Sequence, residues 1–164
     1  MATKAEIVEF LTADFPQNKC IVVEVGNASA TVTHQVGVDE LRPGGTVSAS
    51  VLMAVADVAL YVAILGEVGI KPLTVTTSLT INFLRKPSPH ANIVGVRKLI
   101  KVGKSLAVGD VTLYSDLALV SASCAIPCKV CCRADSQRQA LLCGPTHRRA
   151  IHNRPNSFID SAFV

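Results

Sequence analysis

The sequence predicts an α+β fold in which an antiparallel sheet wraps around one long, buried helix. An apolar segment of helix length, residues 47–70, lies near the middle of the chain, with β-branched runs before it. Four more such runs follow it, joined by short turns rather than by helices. Hydrophobic residues make up 49% of the chain and charged residues 17%, which excludes global disorder and indicates a membrane segment or a large subunit interface.

The N-terminal residues predict a helix followed by a hairpin. Within residues 3–15 apolar side chains recur at helical spacing, Thr3 and Glu6 can form a capping box, and Pro16 ends the helix. Residues 20–25 and 28–36 are β-branched runs, and Gly26-Asn27 between them indicates a hairpin turn. Residues 39–45 (DELRPGG) are predicted to form a loop.

The central segment predicts a helix over about 47–68 that is apolar on nearly all sides. Its length would suit a membrane span, but Asp57 lies at its centre, where a carboxylate costs about 2.5–3.5 kcal/mol on insertion scales. No basic cluster flanks the segment to orient it in a bilayer. A helix surrounded by protein is therefore the favoured interpretation, and no membrane partner is expected.

Four further strands are predicted after the central helix, at residues 73–84, 91–101, 105–114 and 117–126. Gly103-Lys104 and Ser115-Asp116 are the expected turns between the last three strands. With the two strands of the hairpin, they would form a six-stranded sheet. The predicted domain spans residues 1–127.

Residues 128–164 do not continue this pattern, and we expect a poorly ordered tail. Residues 1–120 carry ten Lys/Arg and ten Asp/Glu, whereas residues 121–164 carry six and two, so the net charge of +4 comes from the end of the chain. Most of the cysteines lie there too, with Cys128 and Cys131 as one C-x-x-C. No second pair follows at zinc-finger spacing, so an incidental cysteine-rich tail is favoured over a metal site.

The cysteine spacing cannot staple the whole domain with disulfides, and no basic region followed by an apolar run opens the chain. We therefore expect a cytoplasmic protein with reduced thiols. Nonspecific nucleic-acid binding by the basic tail has no support from the electrically neutral remainder of the chain, so no nucleic-acid partner is expected.

Asp57 and the start of the central helix are the candidate functional positions. An ionisable group within an apolar helix must be paired, face water or be functional, and from the residues alone a structural Asp57 is as good an interpretation as a catalytic one. Ser48 and Ser50 lie at the helix N-terminus after Gly44-Gly45-Thr46. Unsatisfied N–H donors at such an end suit a developing oxyanion.

Two stretches, RPGGTVSASVLMAVADVALYVA and PLTVTTSLTINFLRKP, resemble the hotdog-fold acyl-CoA thioesterases of the PaaI type. The resemblance covers roughly residues 20–127 and implies a sheet wrapped around a long helix whose carboxylate activates water against a thioester. It places that carboxylate on Asp57 and the hydroxyl that positions the water on Thr76, with Thr77 adjacent.

The resemblance also shows departures from the family pattern. The His-Gly-Gly that usually opens the helix falls on Ser48-Ala49-Ser50, so the Ala49 N–H would serve as the oxyanion donor. The Asn that often precedes this motif falls on Arg42. These departures leave two hypotheses, an acyl-CoA thioesterase and a noncatalytic acyl-CoA-binding or scaffold protein.

Ala49 and Asp57 are eight residues apart, or about 12 Å along a helix. One carbonyl carbon cannot touch both, so a shared site requires the helix N-terminus of one chain and Asp57 of another. Two helices that cross antiparallel in a symmetric dimer would form two such sites, and the resemblance implies the same arrangement. The expected partners are a second copy of the chain, as a homodimer or a dimer of dimers, and the substrate.

Basic residues follow the central helix, and Arg85 and Lys86 are the best candidates among them to bind the phosphates of coenzyme A. The alternative is a solvated sheet edge protected by charge; the other basic residues are Arg97, Lys98, Lys101 and Lys104. Apolar residues near Asp57, with Tyr61 among them, favour an aromatic or medium-chain acyl group. Coenzyme A is part of the substrate, and no separate cofactor is expected.

Overall fold

The structure is a computed structural model that describes residues 1–115 and 118–129. Helix α1 (Lys4–Asp14) begins at the predicted capping box, where the Thr3 N–H donates to Glu6 Oε2 over 2.7 Å and the Glu6 N–H donates to Thr3 Oγ1 over 3.3 Å. Ile7 and Leu11 are its buried residues. The sequence pattern therefore located both the start of this helix and its packed face.

Strands β1 (Ile21–Gly26) and β2 (Ser29–His34) form the predicted hairpin. Asn27 and Ala28 both have positive φ, at +52° and +55°. Two consecutive left-handed residues are typical of a type I′ turn, whose twist matches that of the paired strands. Gly-Asn was the expected turn, but the left-handed pair lies one residue later, at Asn27-Ala28.

The predicted loop at 39–45 contains regular structure. A 3₁₀ turn (Val38–Glu40) leads into β3 (Leu41–Arg42), which pairs antiparallel with β4 (Thr46–Val47). Between them the Gly45 N–H donates to the Arg42 carbonyl over 3.0 Å, and Gly44 has a φ of +89°. Proline followed by a left-handed glycine favours a type II turn, so RPGG forms a tight hairpin immediately before the central helix.

Helix α2 (Ala49–Val68) is the central helix, and it starts two residues later than predicted. By length and mean hydropathy, 2.1, it could cross a membrane, but much of its surface is covered by protein. Its buried side chains are Leu52, Val55, Ala56, Val58, Ala59, Leu60, Val62, Ala63, Ile64 and Leu65. They belong to a core shared with the sheet, as a protein-covered helix requires.

The last strands are β5 (Val75–Thr76), β6 (Ile81–Phe83), β7 (Ile93–Val102), β8 (Leu106–Ser115) and β9 (Ala118–Lys129). The main sheet has the order β1-β2-β7-β8-β9-β5, with β6 also paired to β9, and every pairing is antiparallel. Helix α2 packs against β1, β2, β7 and β8. A Cβ on Gly95 of β7 would lie 3.2 Å from Val55 Cγ1, so glycine lets the helix approach this strand.

This arrangement confirms the predicted antiparallel sheet around a long helix, but the predicted number of strands was wrong. The single strand predicted at 73–84 is two short strands, β5 and β6, so the main sheet has seven strands in the described part of the chain rather than six. Both pair with β9, at different positions along it, and the backbone between them leaves the sheet. Strand β9 runs to Lys129, while the remainder of the predicted tail and residues 116–117 of the last turn lie outside the described residues.

Candidate functional site

Asp57 lies on the wall of a cavity beside the middle of α2. This Asp57 cavity has a volume of about 460 Å³, and Asp14, Phe15, Pro72 and Thr74 are among its other lining residues. The Thr76 hydroxyl donates to Asp57 Oδ1 over 2.5 Å. The structure therefore brings together the two side chains that the sequence proposed as carboxylate and hydroxyl.

The two residues meet because β5 runs past the middle of α2. Backbone pairing with β9 holds Thr76 opposite Cys128 and Val75 opposite Lys129. Asp57 is half-buried on the helix side of this contact. One carboxylate oxygen accepts the Thr76 hydroxyl, so the other oxygen is the one that can face a ligand in the cavity.

The rest of the Asp57 cavity is largely apolar. The rings of Phe10 and Tyr61 contribute to its lining, with their centroids 6.4 Å apart, and Val75 and Pro72 add aliphatic surface. Tyr61 was a predicted substrate-binding residue, and its hydroxyl donates to the Pro72 carbonyl over 3.3 Å. Thr77, predicted beside Thr76, is exposed and is not among the lining residues.

A second cavity lies at the N-terminus of α2. This Ala49 cavity has a volume of about 350 Å³ and brings together Ala49, Arg42, Arg85 and Lys86, with Phe83 and Leu84 beside them. The RPGG hairpin positions Arg42, and Arg85 and Lys86 follow β6. The residues proposed for the oxyanion and for the coenzyme A phosphates therefore share one surface.

The helix start has the donors that an anion requires. Ser48 is the N-cap residue, but its side chain makes no capping hydrogen bond; its hydroxyl instead lies 2.8 Å from that of Ser50. The Ser48 N–H donates to the Glu40 carbonyl over 3.0 Å. The Val51 N–H donates to the Ser48 carbonyl over 3.2 Å. The N–H groups of Ala49 and Ser50 come too early in the helix to have a carbonyl acceptor within it, so they are available to a ligand.

The structure separates the predicted catalytic residues into two groups. Asp57 and Thr76 line one cavity, Ala49 lines the other, and the two cavities share no lining residue. The eight-residue interval along α2 corresponds to about 12 Å. Within one chain, a carbonyl carbon beside Asp57 is out of reach of the Ala49 N–H.

The other basic residues of the proposed phosphate-binding group lie elsewhere. Arg97 is fully buried on the face of β7 that alternates with its exposed lysines, so it is wrong as a member of a surface patch. A Cβ on Gly109 of β8 would overlap the Arg97 guanidinium, and glycine there leaves room for it. Lys98, Lys101 and Lys104 are exposed, but none of them lines the Ala49 cavity.

A polar cluster that the sequence did not predict borders a further cavity beside α2. His34 is buried, and its Nε2 lies 2.7 Å from Glu40 Oε2, while its Nδ1 lies 4.0 Å from Cys20 Sγ. Lys19 Nζ donates to Glu40 Oε1 over 3.1 Å. His34 is thus a buried member of a hydrogen-bonded cluster, and its own partners lie 6 and 14 residues away in the sequence.

The electrostatics of this cluster favour a structural role. Burial alone would raise the pKa of Glu40, but hydrogen bonds from the Gly37 N–H, His34 and Lys19 outweigh it and lower the pKa to about 2. Burial, together with the negative charge of Glu40, raises the pKa of the Cys20 thiol to about 11. At neutral pH Glu40 is therefore ionised and Cys20 is a neutral thiol, which is a poor nucleophile.

Comparisons with known proteins agree with this architecture. Residues 44–118 match the thioesterase superfamily. A candidate thioesterase from Silicibacter sp. TM1040 is 34% identical, with a TM-score of 0.69 over 77% of this chain and 90% of that one. No curated protein sequence matches the chain.

Two more distant structures share the fold. The PaaI protein from the phenylacetic acid degradation operon of E. coli is 19% identical, with a TM-score of 0.65 over 77% of this chain and 94% of that one. A hypothetical thioesterase from Streptococcus pneumoniae TIGR4, solved with coenzyme A, is 16% identical, with a TM-score of 0.64 over 76% and 96%. The chain therefore belongs to the thioesterase superfamily and has its hotdog fold.

Proposed function

We propose that this protein hydrolyses the thioester bond of acyl-CoA molecules whose acyl group is apolar, either aromatic or medium-chain. The observation that carries the proposal is the Asp57 carboxylate, hydrogen-bonded to Thr76, on the wall of a largely apolar cavity. A carboxylate beside an apolar cavity has the two parts that hydrolysis of such a thioester requires, a base and a place for the acyl group.

In the reaction, Asp57 acts as general base or as nucleophile. As a base it takes a proton from water while the water oxygen attacks the acyl carbon; the C–S bond then breaks, and the proton passes to the departing coenzyme A thiolate. As a nucleophile its oxygen attacks the acyl carbon, the C–S bond breaks to release the coenzyme A thiolate, and an acyl anhydride with Asp57 remains; water hydrolyses that anhydride, and a proton from the water passes to the thiolate. After a single turnover in ¹⁸O-labelled water, ¹⁸O in Asp57 identifies the second route, because it enters that side chain only when water attacks the Asp57 carbon of the anhydride.

The oxyanion is stabilised by the α2 N-terminus of a second copy of the chain. The Ala49 N–H and Asp57 lie in separate cavities of one chain, so a complete site needs two chains. In a twofold dimer with antiparallel central helices, each Asp57 would face the Ala49 of the other copy, and two such dimers could pair into a tetramer.

Coenzyme A would bind at the Ala49 cavity of that second copy. Arg42, Arg85 and Lys86 supply three cations there, and guanidinium groups can bind phosphate oxygens bidentately. The coenzyme A in the structure of the related Streptococcus pneumoniae protein supports a ligand of this class. The cavity with the basic residues would hold the nucleotide, and the cavity with the aromatic residues would hold the acyl group.

Thiol release from a panel of acyl-CoA substrates tests the proposal. Hexanoyl-CoA and phenylacetyl-CoA should be hydrolysed faster than malonyl-CoA, because the cavity offers aromatic and aliphatic surface near the carboxylate. Asp57→Asn should reduce kcat by about 10²- to 10⁴-fold, the usual contribution of a general base. Glu67→Gln, which removes a different carboxylate from the same helix, is the matched control and should retain wild-type kcat.

Equal rates for wild type and Asp57→Asn would remove Asp57 from the mechanism, and a clear malonyl-CoA preference would contradict the apolar acyl group.

The second candidate function is noncatalytic binding of acyl-CoA. Ser48-Ala49-Ser50 favours it, because these residues replace the His-Gly-Gly of the family pattern. Acyl-CoA that binds without thiol release would support it.

A further inference from the structure

Phe15 lies between the Asp57 cavity and a third cavity, on the same side of α2, to which no role has been assigned. This His34 cavity has a volume of about 220 Å³ and is bounded by Val51, Ala54 and Val58 of α2 and by the polar cluster of His34. Phe15 lines both cavities, and it is the residue that their linings have in common. Phe15 therefore lies in the wall between them.

The two cavities follow one continuous face of the helix. Asp57 and Tyr61 line the first, and Ala54 and Val58 line the second. Positions three and four residues apart are neighbours on a helix surface, so these four side chains form one strip. An acyl chain that lies along this strip from Asp57 would reach Phe15 and, beyond it, the His34 cavity.

The backbone that carries Phe15 is fixed on both sides. The Phe15 N–H donates to the Leu11 carbonyl over 3.0 Å at the end of α1, and the Phe15 carbonyl accepts the Asn18 N–H over 3.0 Å. Pro16 follows, and the Asn18 side chain in turn holds the Cys20 backbone. The wall is therefore attached to a hydrogen-bonded turn.

We infer that Phe15 sets the longest acyl chain that the site accepts, and that the His34 cavity is space that it closes off. This inference rests on the proposed acyl-CoA function and names its specificity-determining residue. The polar groups at the far end are paired with one another, since His34 and Lys19 both contact Glu40. The aliphatic surface of Ala54, Val51 and Val58 is what remains for an acyl chain once the wall is removed.

The test measures kcat/KM across saturated acyl-CoA substrates of increasing length and, in parallel, the Kd of S-alkyl-CoA thioethers, which cannot be hydrolysed. In wild type both measures should improve with length and then stop improving. In Phe15→Ala the improvement should continue for at least two further methylenes, by up to about fourfold for each methylene buried. Phe15→Leu removes fewer atoms, so it is the variant to use if Phe15→Ala does not fold, and it should extend the range by about one methylene.

Ala54→Phe supplies the decisive control. It refills the His34 cavity, so in the Phe15→Ala or Phe15→Leu background it should return the length limit to that of wild type. Phe10→Ala removes a ring of the same size from α1, the helix that ends just before Phe15, but Phe10 lines the Asp57 cavity and not the His34 cavity. Any extension that it causes should be insensitive to Ala54→Phe.

The inference is overturned if the folded Phe15 variant keeps the wild-type length limit, or if Ala54→Phe does not reverse the extension. Failure of the proposed function has a different result. If no acyl-CoA is hydrolysed but thioether binding shows the extension and its reversal, Phe15 limits the ligand of a noncatalytic binding protein. If the thioethers do not bind either, both proposals fail.

Discussion

The Asp57 cavity and the Ala49 cavity differ in the chemistry that their residues can perform. The Asp57 cavity holds a carboxylate hydrogen-bonded to a hydroxyl, surrounded by aromatic and aliphatic side chains. The Ala49 cavity holds three cationic side chains and a helix N-terminus without a side-chain cap. The carboxylate of the Asp57 cavity can transfer a proton, and the cations of the Ala49 cavity can bind an anion. A single helix thus carries both halves of the proposed site, but they are too far apart to serve one substrate within one chain.

The largest expected effect comes from mixing two inactive variants. This experiment tests whether the Asp57 cavity of one chain and the Ala49 cavity of another form one site. Asp57→Asn lacks the carboxylate, and Ala49→Pro lacks the N–H donor at a position where proline is tolerated. Each should be inactive alone. After random subunit exchange half of the dimers are mixed, and half of their sites are intact, so activity should rise to about a quarter of wild type. Circular dichroism must first show that Ala49→Pro is folded. Folded parents that exchange subunits without regaining activity would show that the site lies within one chain.

A smaller effect is expected from Thr76, which belongs to the Asp57 end alone. Thr76→Val removes the hydroxyl but retains the shape of the side chain, and kcat should fall by about 10- to 100-fold, which is the range for a lost hydrogen bond to a charged group. Thr76→Ser keeps the hydroxyl and should retain most of the activity. KM should change little in either variant. A Thr76→Val enzyme with wild-type kcat would show that the contact with Asp57 has no catalytic role.

Substitutions at the Ala49 cavity should change KM, whereas those at the Asp57 cavity should change kcat. Arg85→Ala combined with Lys86→Ala should raise KM by about three- to tenfold and leave kcat nearly unchanged, because exposed charge contacts each contribute less than about 1 kcal/mol. The effect should shrink at high salt, as screening predicts. Lys98→Ala with Lys101→Ala removes two exposed cations outside the cavity and is the matched control. An equal rise in KM in both double variants would indicate general charge attraction rather than a phosphate site.

The smallest effect concerns Glu40, which supports the Ala49 end through its carbonyl bond to the Ser48 N–H. The pKa of Glu40 is about 2 in the folded chain, below its ordinary value of 4.5, so its stabilising contribution is present above about pH 4.5 and is lost as the pH falls toward 2. Urea unfolding should show wild type more stable than Glu40→Gln by about 1–2 kcal/mol at pH 7, a value reduced by the solvent exposure of Lys19. The difference should shrink below pH 4.5. A difference that stays constant down to pH 2.5 would exclude this titration as its cause.

The sequence predicted the elements of this fold well where one local signal decided the outcome. The Thr3–Glu6 capping box and the apolar composition of α2 each depend on residues close together in the chain, and both helices were found within two residues of their observed starts. The split of 73–84 into two strands was not predictable in this way. It depends on both strands pairing with β9, whose position is set by the whole sheet.

The same distinction applies to the residues of the candidate site: those with a local signal were predicted, and those that meet only in the folded chain were not. Asp57 was conspicuous as a carboxylate in an apolar helix, and the family resemblance identified Thr76. The cluster of Cys20, His34 and Glu40 gave no signal, because its members are 14 and 6 residues apart and meet only after β1, β2 and the 3₁₀ turn have packed. In the sequence, Phe15 was only the last apolar residue of a predicted N-terminal helix. Its place between two cavities depends on where α1 ends relative to α2.

The pairing of β5 with β9 changes what can be removed from the end of this chain. Thr76 lies opposite Cys128, and Val75 lies opposite Lys129, so the backbone that presents the Thr76 hydroxyl to Asp57 is held by residues at the first positions of the cysteine-rich segment. A chain shortened after residue 127 would keep every side chain of the Asp57 cavity and still lose the strand that aligns one of them. Shortening after Lys129 would leave this pairing complete. The end of the strand pairing that holds Thr76 therefore lies inside the segment that its composition predicts to be a tail.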